Sequence, residues 1–366
     1  MKKRNNKLYI LGLLLIVIAL SSCSPQSERS RSVGRTHKLF FDDTRSSWLG
    51  EGQRPLAATI WYPATRTSEE SDWNIAIFKA GRSALNADLA LAPKKFPLVV
   101  LSHGTGGAAF QLSWLAERLV QSGFIVLAVN HHGNTGAEES LLLEGFTLWW
   151  ERAEDISATI DHLLKEPTFG HRIDQTKMGA LGFSLGGYSV LSTAGGITDR
   201  AQWRAFCSEH LANPICELPP EAGVSIAGLE EKIASNPSIQ KSFSRSGRLF
   251  QDKRIKAVYS IAPVLGPALT KESLSKISIP TKIVVGANDD QAIAKYNAEY
   301  IANSIPNADL QILPGVSHYT FLAPCTFKGN LLVKDLCSEA KGTKRTEVHK
   351  KIGLDAASFF MDALYK

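Results

Sequence analysis

The chain has 366 residues, 44% of them hydrophobic and 21% charged, with 28 Gly and 16 Pro, a balance that excludes disordered, collagen-like and multi-span membrane chains. The formal charge is +6, but residues 1–22 hold four cations and no acid, and residues 23–38 hold four cations against one acid. The rest of the chain is therefore within one charge of neutral, which argues against a basic surface for nucleic acid.

In chain order, the cluster MKKRNNK precedes an uncharged apolar run, Leu8–Leu20. At 13 residues it is shorter than the roughly 20 needed to span a bilayer, so it reads as the apolar region of an export signal. It ends in Leu20-Ser21-Ser22-Cys23, which resembles a bacterial lipoprotein signal. That resemblance implies removal of residues 1–22 and a lipid on Cys23; Ser24 would then favour an outer membrane, facing the periplasm or the cell surface. Residues 23–38 are Ser- and Arg-rich and read as a flexible tether, leaving 39–366 as the folded domain.

Within that domain short apolar runs alternate with amphipathic stretches. Strands are expected at 57–62, 98–102, 124–130, 178–183, 257–261, 282–286 and 309–313, and helices at 110–121, 149–165, 185–194, 292–302 and 352–364. The rhythm implies an α/β fold with a mostly parallel central sheet flanked by helices. Residues 195–254 break it and read as a mainly helical insertion, a lid or cap following the helix at 185–194.

Motifs punctuate the elements. After the strand at 98–102 comes Ser102-His103-Gly104-Thr105-Gly106-Gly107, a loop whose backbone N–H groups could hold an oxyanion, Thr105 first and Gly104 next. A phosphate-binding reading lacks the dinucleotide and Walker spacings. His103 reads as a prop for this loop. Trp149 and Trp150 read as core, and Arg152 with Asp155, three residues apart, as a structural pair. Gly182-Phe183-Ser184-Leu185-Gly186-Gly187 then places a serine on a sharp turn between a strand and a helix, with the Leu185 N–H at the helix start as a second oxyanion donor.

A serine hydroxyl needs a base, and the base an orienting acid. Downstream, Gly286-Ala287-Asn288-Asp289-Asp290 offers Asp289, with Asp290 as its rival, and Pro314-Gly315-Val316-Ser317-His318 offers a histidine after the last strand. An imidazole can take and return a proton near neutral pH. Four cysteines besides Cys23 allow three pairings; the short-range ones, Cys207 with Cys216 and Cys325 with Cys337, are favoured. A metal site is disfavoured by the absence of any CxxC step. The run Lys341–Lys351 reads as solvated surface.

Together, Arg54-Pro55, Ile60-Trp61-Tyr62-Pro63, SHGTGG, Asn130-His131-His132-Gly133-Asn134-Thr135, Arg152 and Asp155, GFSLGG, GANDD and GVSHYTFLAPC resemble the α/β-hydrolases of the platelet-activating-factor acetylhydrolase and dienelactone-hydrolase-like group. The elbow departs from dienelactone hydrolases proper in carrying Ser where they use Cys. The resemblance implies a Ser184–His318–Asp289 triad, an acyl-enzyme intermediate and hydrolysis of short-chain or small acyl esters, with no cofactor. The expected partners are a small-molecule ester and, through the N-terminal lipid, a membrane, the protein acting as a monomer. An acyltransferase with the same triad, a catalytically silent binding lipoprotein and a peptidase are the competing readings.

Overall fold

The computed structural model describes residues 32–366 except 51 and 219–225, and leaves the side chains of 226–230 undescribed. The signal at 1–22, Cys23 and most of the tether lie outside the described residues. Residues from 31 onward form one compact unit.

Its centre is a ten-stranded sheet: β1 Val33–Ser46, β2 Gln53–Pro63, β3 Ser71–Ile75, β4 Phe78–Leu85, β5 Phe96–Ser102, β6 Ile125–Asn130, β7 Ile173–Phe183, β8 Ile255–Ile261, β9 Thr281–Gly286 and β10 Asp309–Leu313. The order is β10-β9-β8-β7-β5-β6-β2-β1-β4-β3, parallel from β10 to β6. β2 is antiparallel to both β6 and β1. β5 and β6 are buried along their whole length because helices cover both faces, which is why they read as unbroken apolar runs.

The helices are α1 Ser113–Gln121, α2 Leu143–Thr147, α3 Glu151–Lys165, α4 Leu185–Ala194, α5 Arg200–Glu209, α6 Ile226–Ser235, α7 Pro237–Phe243, α8 Lys271–Leu274, α9 Ala298–Ala302, α10 Phe327–Leu332, α11 Lys334–Cys337 and α12 Arg345–Leu364. α12 packs on α1, β7 and β8, while α3 packs on α4, which lies on β7 and β8. Every residue of α4 is buried, so its two glycines and its small side chains are what let it sit close to the sheet.

Several expectations need correction. Val33–Lys38, assigned to the tether, form the start of β1 and pair with β2. β1 hides from pattern reading because its alternation is inverted: Leu39 and Phe41 face outward while Arg35 and Asp42 are buried. The hairpin β3–β4 was also not foreseen, its residues mixing charge and Gly with the apolar positions. Of the helix expected at 292–302 only α9 forms, because 291–297 is a run of turns built on Asp289. Arg152 and Asp155 are not an ion pair with each other; both are buried and engage different partners, described below. In the charged run 341–351, Arg345 and His349 are buried, since α12 already begins there.

The insertion is helical, carrying α5, α6 and α7. It is anchored on α3, where Trp150 Nε1 donates to Ser242 Oγ at 2.9 Å and Glu151 accepts from both Ser242 and Arg245. Cys207 is bonded to Cys216 and Cys325 to Cys337, the two short-range pairings.

Candidate active site

The chain order reverses at the centre of the sheet: β6 lies on one side of β5 and β7 on the other. Such a switch point opens a crevice at the carboxyl ends of the strands. Ser184 follows β7 there, the 103–108 loop follows β5, Asp289 lies just past β9 and His318 just past β10.

Ser184 sits in the turn with φ 55° and ψ −120°, a region that non-glycine residues seldom adopt and that costs about 1–3 kcal/mol. Its N–H donates to Ile261 at 2.9 Å, and its carbonyl accepts from Gly187 at 2.8 Å. The flanking glycines are steric necessities: a Cβ on Gly182 would overlap the Gly186 carbonyl, and one on Gly186 would overlap the Ser102 carbonyl. The side chain that results is nearly buried, at 6% exposure, and faces one partner.

That partner is His318, whose Nε2 lies 3.0 Å from Ser184 Oγ. His318 Nδ1 lies 2.8 and 3.0 Å from the two oxygens of Asp289, so Nδ1–H donates to the carboxylate and Nε2 is left to accept from the serine. Asp289 also accepts the backbone N–H groups of Ala292, at 2.6 Å, and Gln291, at 3.1 Å. Its neighbour Asp290 is exposed and, among the described residues, its side chain accepts a hydrogen bond from Gln291 alone. Of the two acids, therefore, Asp289 both faces the histidine and caps the turn.

Three backbone donors at the crevice, the N–H groups of Gly104, Thr105 and Leu185, have no acceptor among the described residues. In the loop after β5, Gly106 N–H donates to Asn134, Gly107 to Gly104, Ala108 to Gln111 and Ala109 to Asn130. Neither Gly104 N–H nor Thr105 N–H has such an acceptor among the described residues. Leu185, as the first residue of α4, has no intrahelical acceptor either. Gly104 brings this loop against the serine: a Cβ there would meet Ser184 Cβ at 3.1 Å.

Behind the loop lies a buried polar network that gives the NHHGNT and Arg152–Asp155 motifs their purpose. Arg152 donates to the carbonyl of His103, to Asn134 at 3.1 Å and to Ser189 at 3.0 Å. Burial lowers its guanidinium pKa to about 9. Burial alone would raise Asp155, but Arg54 and Arg45 hold it well below the usual carboxylate range. Arg54 bonds both its oxygens, at 2.7 and 3.0 Å, and His131 Nδ1–H donates to it at 3.0 Å. The other ring nitrogen of His131 accepts from Ser102 Oγ at 2.8 Å. His103 donates through Nδ1 to Gly104 O at 2.7 Å and accepts at Nε2 from His131 N–H at 3.1 Å. Burial pushes both imidazoles down, His131 to about 3 and His103 well below its ordinary value. His103 is thus a neutral prop, as its sequence position suggested.

A second clamp holds the His318 turn, and its members were not legible in the sequence. Thr320 Oγ1 donates to Glu339 Oε2 at 2.6 Å and accepts from Ser317 N–H at 3.2 Å. Arg345 Nε holds the other oxygen of Glu339, and His349 Nε2 donates to Thr320 O at 2.8 Å. Trp149, expected in the core, is nearly buried and meets Trp203 of the insertion edge to face. Among the described residues no cluster of His, Cys, Asp and Glu could hold a metal ion.

Known proteins share this architecture. A solved ferulic acid esterase from Streptomyces cinnamoneus superposes with a TM-score of 0.59, covering 92% of this chain and 91% of that one at 17% identity. The fold is that of the α/β-hydrolases. Within this fold, residues 110–210 match the model of the prolyl oligopeptidase family. Cutinase est1 of Thermobifida alba is 26% identical over 98 residues, and lipase 1 of Moraxella sp. 30% over 95. Each alignment covers 26% of this chain and under a third of the relative, 29% and 25% respectively.

Proposed function

We propose that this α/β-hydrolase is a serine hydrolase of carboxylic esters, in the platelet-activating-factor acetylhydrolase and dienelactone-hydrolase-like group, acting as a monomer on short-chain or small acyl esters. The observation that carries the reading is the unbroken contact from Ser184 Oγ through His318 to Asp289, at 3.0 and 2.8 Å, beside the unassigned backbone N–H groups of Leu185, Thr105 and Gly104. The partial matches to a lipase and to cutinases support ester chemistry.

In the proposed cycle Ser184 Oγ attacks the ester carbonyl carbon while His318 Nε2 takes its proton. The N–H groups of Leu185 and Thr105 hold the oxyanion, and Asp289 stabilises the imidazolium. His318 returns the proton to the departing alkoxide, leaving an acyl-serine. Water then repeats the sequence with His318 as base, releasing the acid and restoring the hydroxyl. We further propose export, a lipid on Cys23 and residence on a membrane facing the periplasm or the exterior; the two disulfides are in keeping with an oxidising compartment.

The test is hydrolysis of a p-nitrophenyl ester series of rising chain length, run beside a proline-containing peptide substrate. Ester turnover that is abolished in Ser184→Ala supports the proposal. Undiminished turnover in Ser184→Ala, or peptide turnover without ester turnover, overturns it.

A further inference from the structure

The loop closed by Cys325–Cys337 carries α10 and α11 and presents an exposed apolar cluster. Phe327 is 84% exposed, Leu331 64% and Leu332 62%. Phe327 and Leu331, one helical turn apart, share a face. Single exposed apolar residues are ordinary, but an adjacent group on one protruding element marks a contact surface. The base of the loop is fixed: Thr326 N–H donates to Ile77 O at 2.8 Å, and a Cβ on the buried Gly329 would meet that carbonyl. The apolar side chains therefore stand on a stapled platform, pointing away from the body that holds it.

Charge surrounds them. Lys328, Lys334, Lys341 and Lys344 are exposed, and Asp335 is the one exposed acid in the segment 326–344. Arg345 donates to Leu336 O at 2.8 Å, which draws the start of α12 and its lysines against α11. A second copy of the same face would bring these lysines together, whereas an anionic lipid surface accepts lysine and apolar side chains at once.

Chain length agrees. The ten residues from Cys23 to Val33 reach at most about 36 Å. Gly34 pairs with Ala84 and Phe78 bridges Cys325, so the loop lies one length of β4 from the root of the tether, about 20 Å at strand spacing. A domain held at Cys23 can lay this loop on the bilayer.

We propose that α10, α11 and the adjoining lysines form a docking surface for anionic membrane lipid, a second contact beside the lipid proposed on Cys23, on which reading the length argument rests. The test uses residues 31–366 without any acyl chain, so that binding is read independently of the anchor and of ester turnover. The parent should co-sediment with vesicles of equal phosphatidylglycerol and phosphatidylcholine and not with phosphatidylcholine alone. Phe327→Ser with Leu331→Ser should weaken that partition about tenfold or more, and Lys328→Glu with Lys334→Glu should remove its dependence on phosphatidylglycerol. All three proteins should hydrolyse p-nitrophenyl acetate equally, which reports intact folding; vesicle binding by an esterase-inactive parent would leave the docking surface standing and remove the proposed chemistry. Absence of parental binding to the anionic vesicles, or equal binding by the Ser variant, overturns the proposal. So does a concentration-dependent dimer that the Ser pair abolishes, which would give the face to a second copy.

Discussion

At the scale of single residues, the proposed chemistry turns on which carboxylate His318 faces. Asp289→Asn should reduce ester turnover by about ten-thousandfold, because an amide cannot hold the imidazole in the required tautomer, while Asp290→Asn should stay near the parent; comparison of the two kcat values decides it. That Ser184 and His318 come together was legible because GFSLGG has to lie between a strand and a helix and because the histidine follows the last strand. Sequence could not separate Asp289 from Asp290, since one residue of turn geometry decides which carboxylate is buried. Thr320, Glu339, Arg345 and His349 left no local signal at all, as their grouping depends on α12 returning to β10's end. Thr320→Val, which removes the donor to Glu339, should lower kcat about tenfold with KM little changed, and Thr320→Ser should restore it. A merely destabilising substitution would show instead as lost soluble protein at unchanged kcat.

Among the elements, α3 does the most to connect parts. Its first two turns supply Glu151 to the insertion, Arg152 to the loop after β5 and Asp155 to Arg54, Arg45 and His131. Burial alone would raise Glu151, yet Arg45, Arg54 and Arg245 hold it below the usual carboxylate value, so it stays ionised beneath α7. Arg245→Ala should therefore loosen the insertion by removing one of the hydrogen bonds to that charge, a cost of about 1.5–3 kcal/mol, with Arg45 and Ser242 still holding Glu151. Hydrogen exchange across 237–243 should rise well above that across β5 and β6. The strands buried on both faces were legible from composition alone; β1, with apolar residues outward and charge inward, was not, because its burial is set by Trp73 and α3 rather than by its own pattern.

For the whole molecule, the buried imidazoles set the response to acid. His103, His131 and His349 all titrate below the ordinary imidazole value of 6.5, chiefly through burial, His131 and His349 at about 3. Below pH 6.5 the unfolded chain takes up protons that the folded chain refuses, so stability falls with falling pH, by up to about 1.4 kcal/mol per unit for each histidine, until the folded value is reached. Thermal unfolding between pH 7 and pH 4 should show a continuous decline in Tm, shallower in His349→Gln. A Tm that is flat across this range would contradict the burial of all three. The charge of the sequence follows a different division: it is concentrated ahead of β1, and the body is close to neutral.

The anchoring of residues 195–254 has a consequence for how such a protein can change. None of the groups proposed to handle protons or the oxyanion belongs to that stretch; they hang on β5, β7, β9 and β10, and the insertion is held beside them by α3, by Thr198, whose hydroxyl bonds Tyr188, and by Gln202, which donates to the carbonyls of Pro267 and Leu269. Selection can therefore rewrite the insertion wholesale, keeping a handful of seams such as Ser242 and Arg245, and so alter which molecules are admitted without retuning the reaction. The same seams are where an engineer would cut to graft a foreign cap.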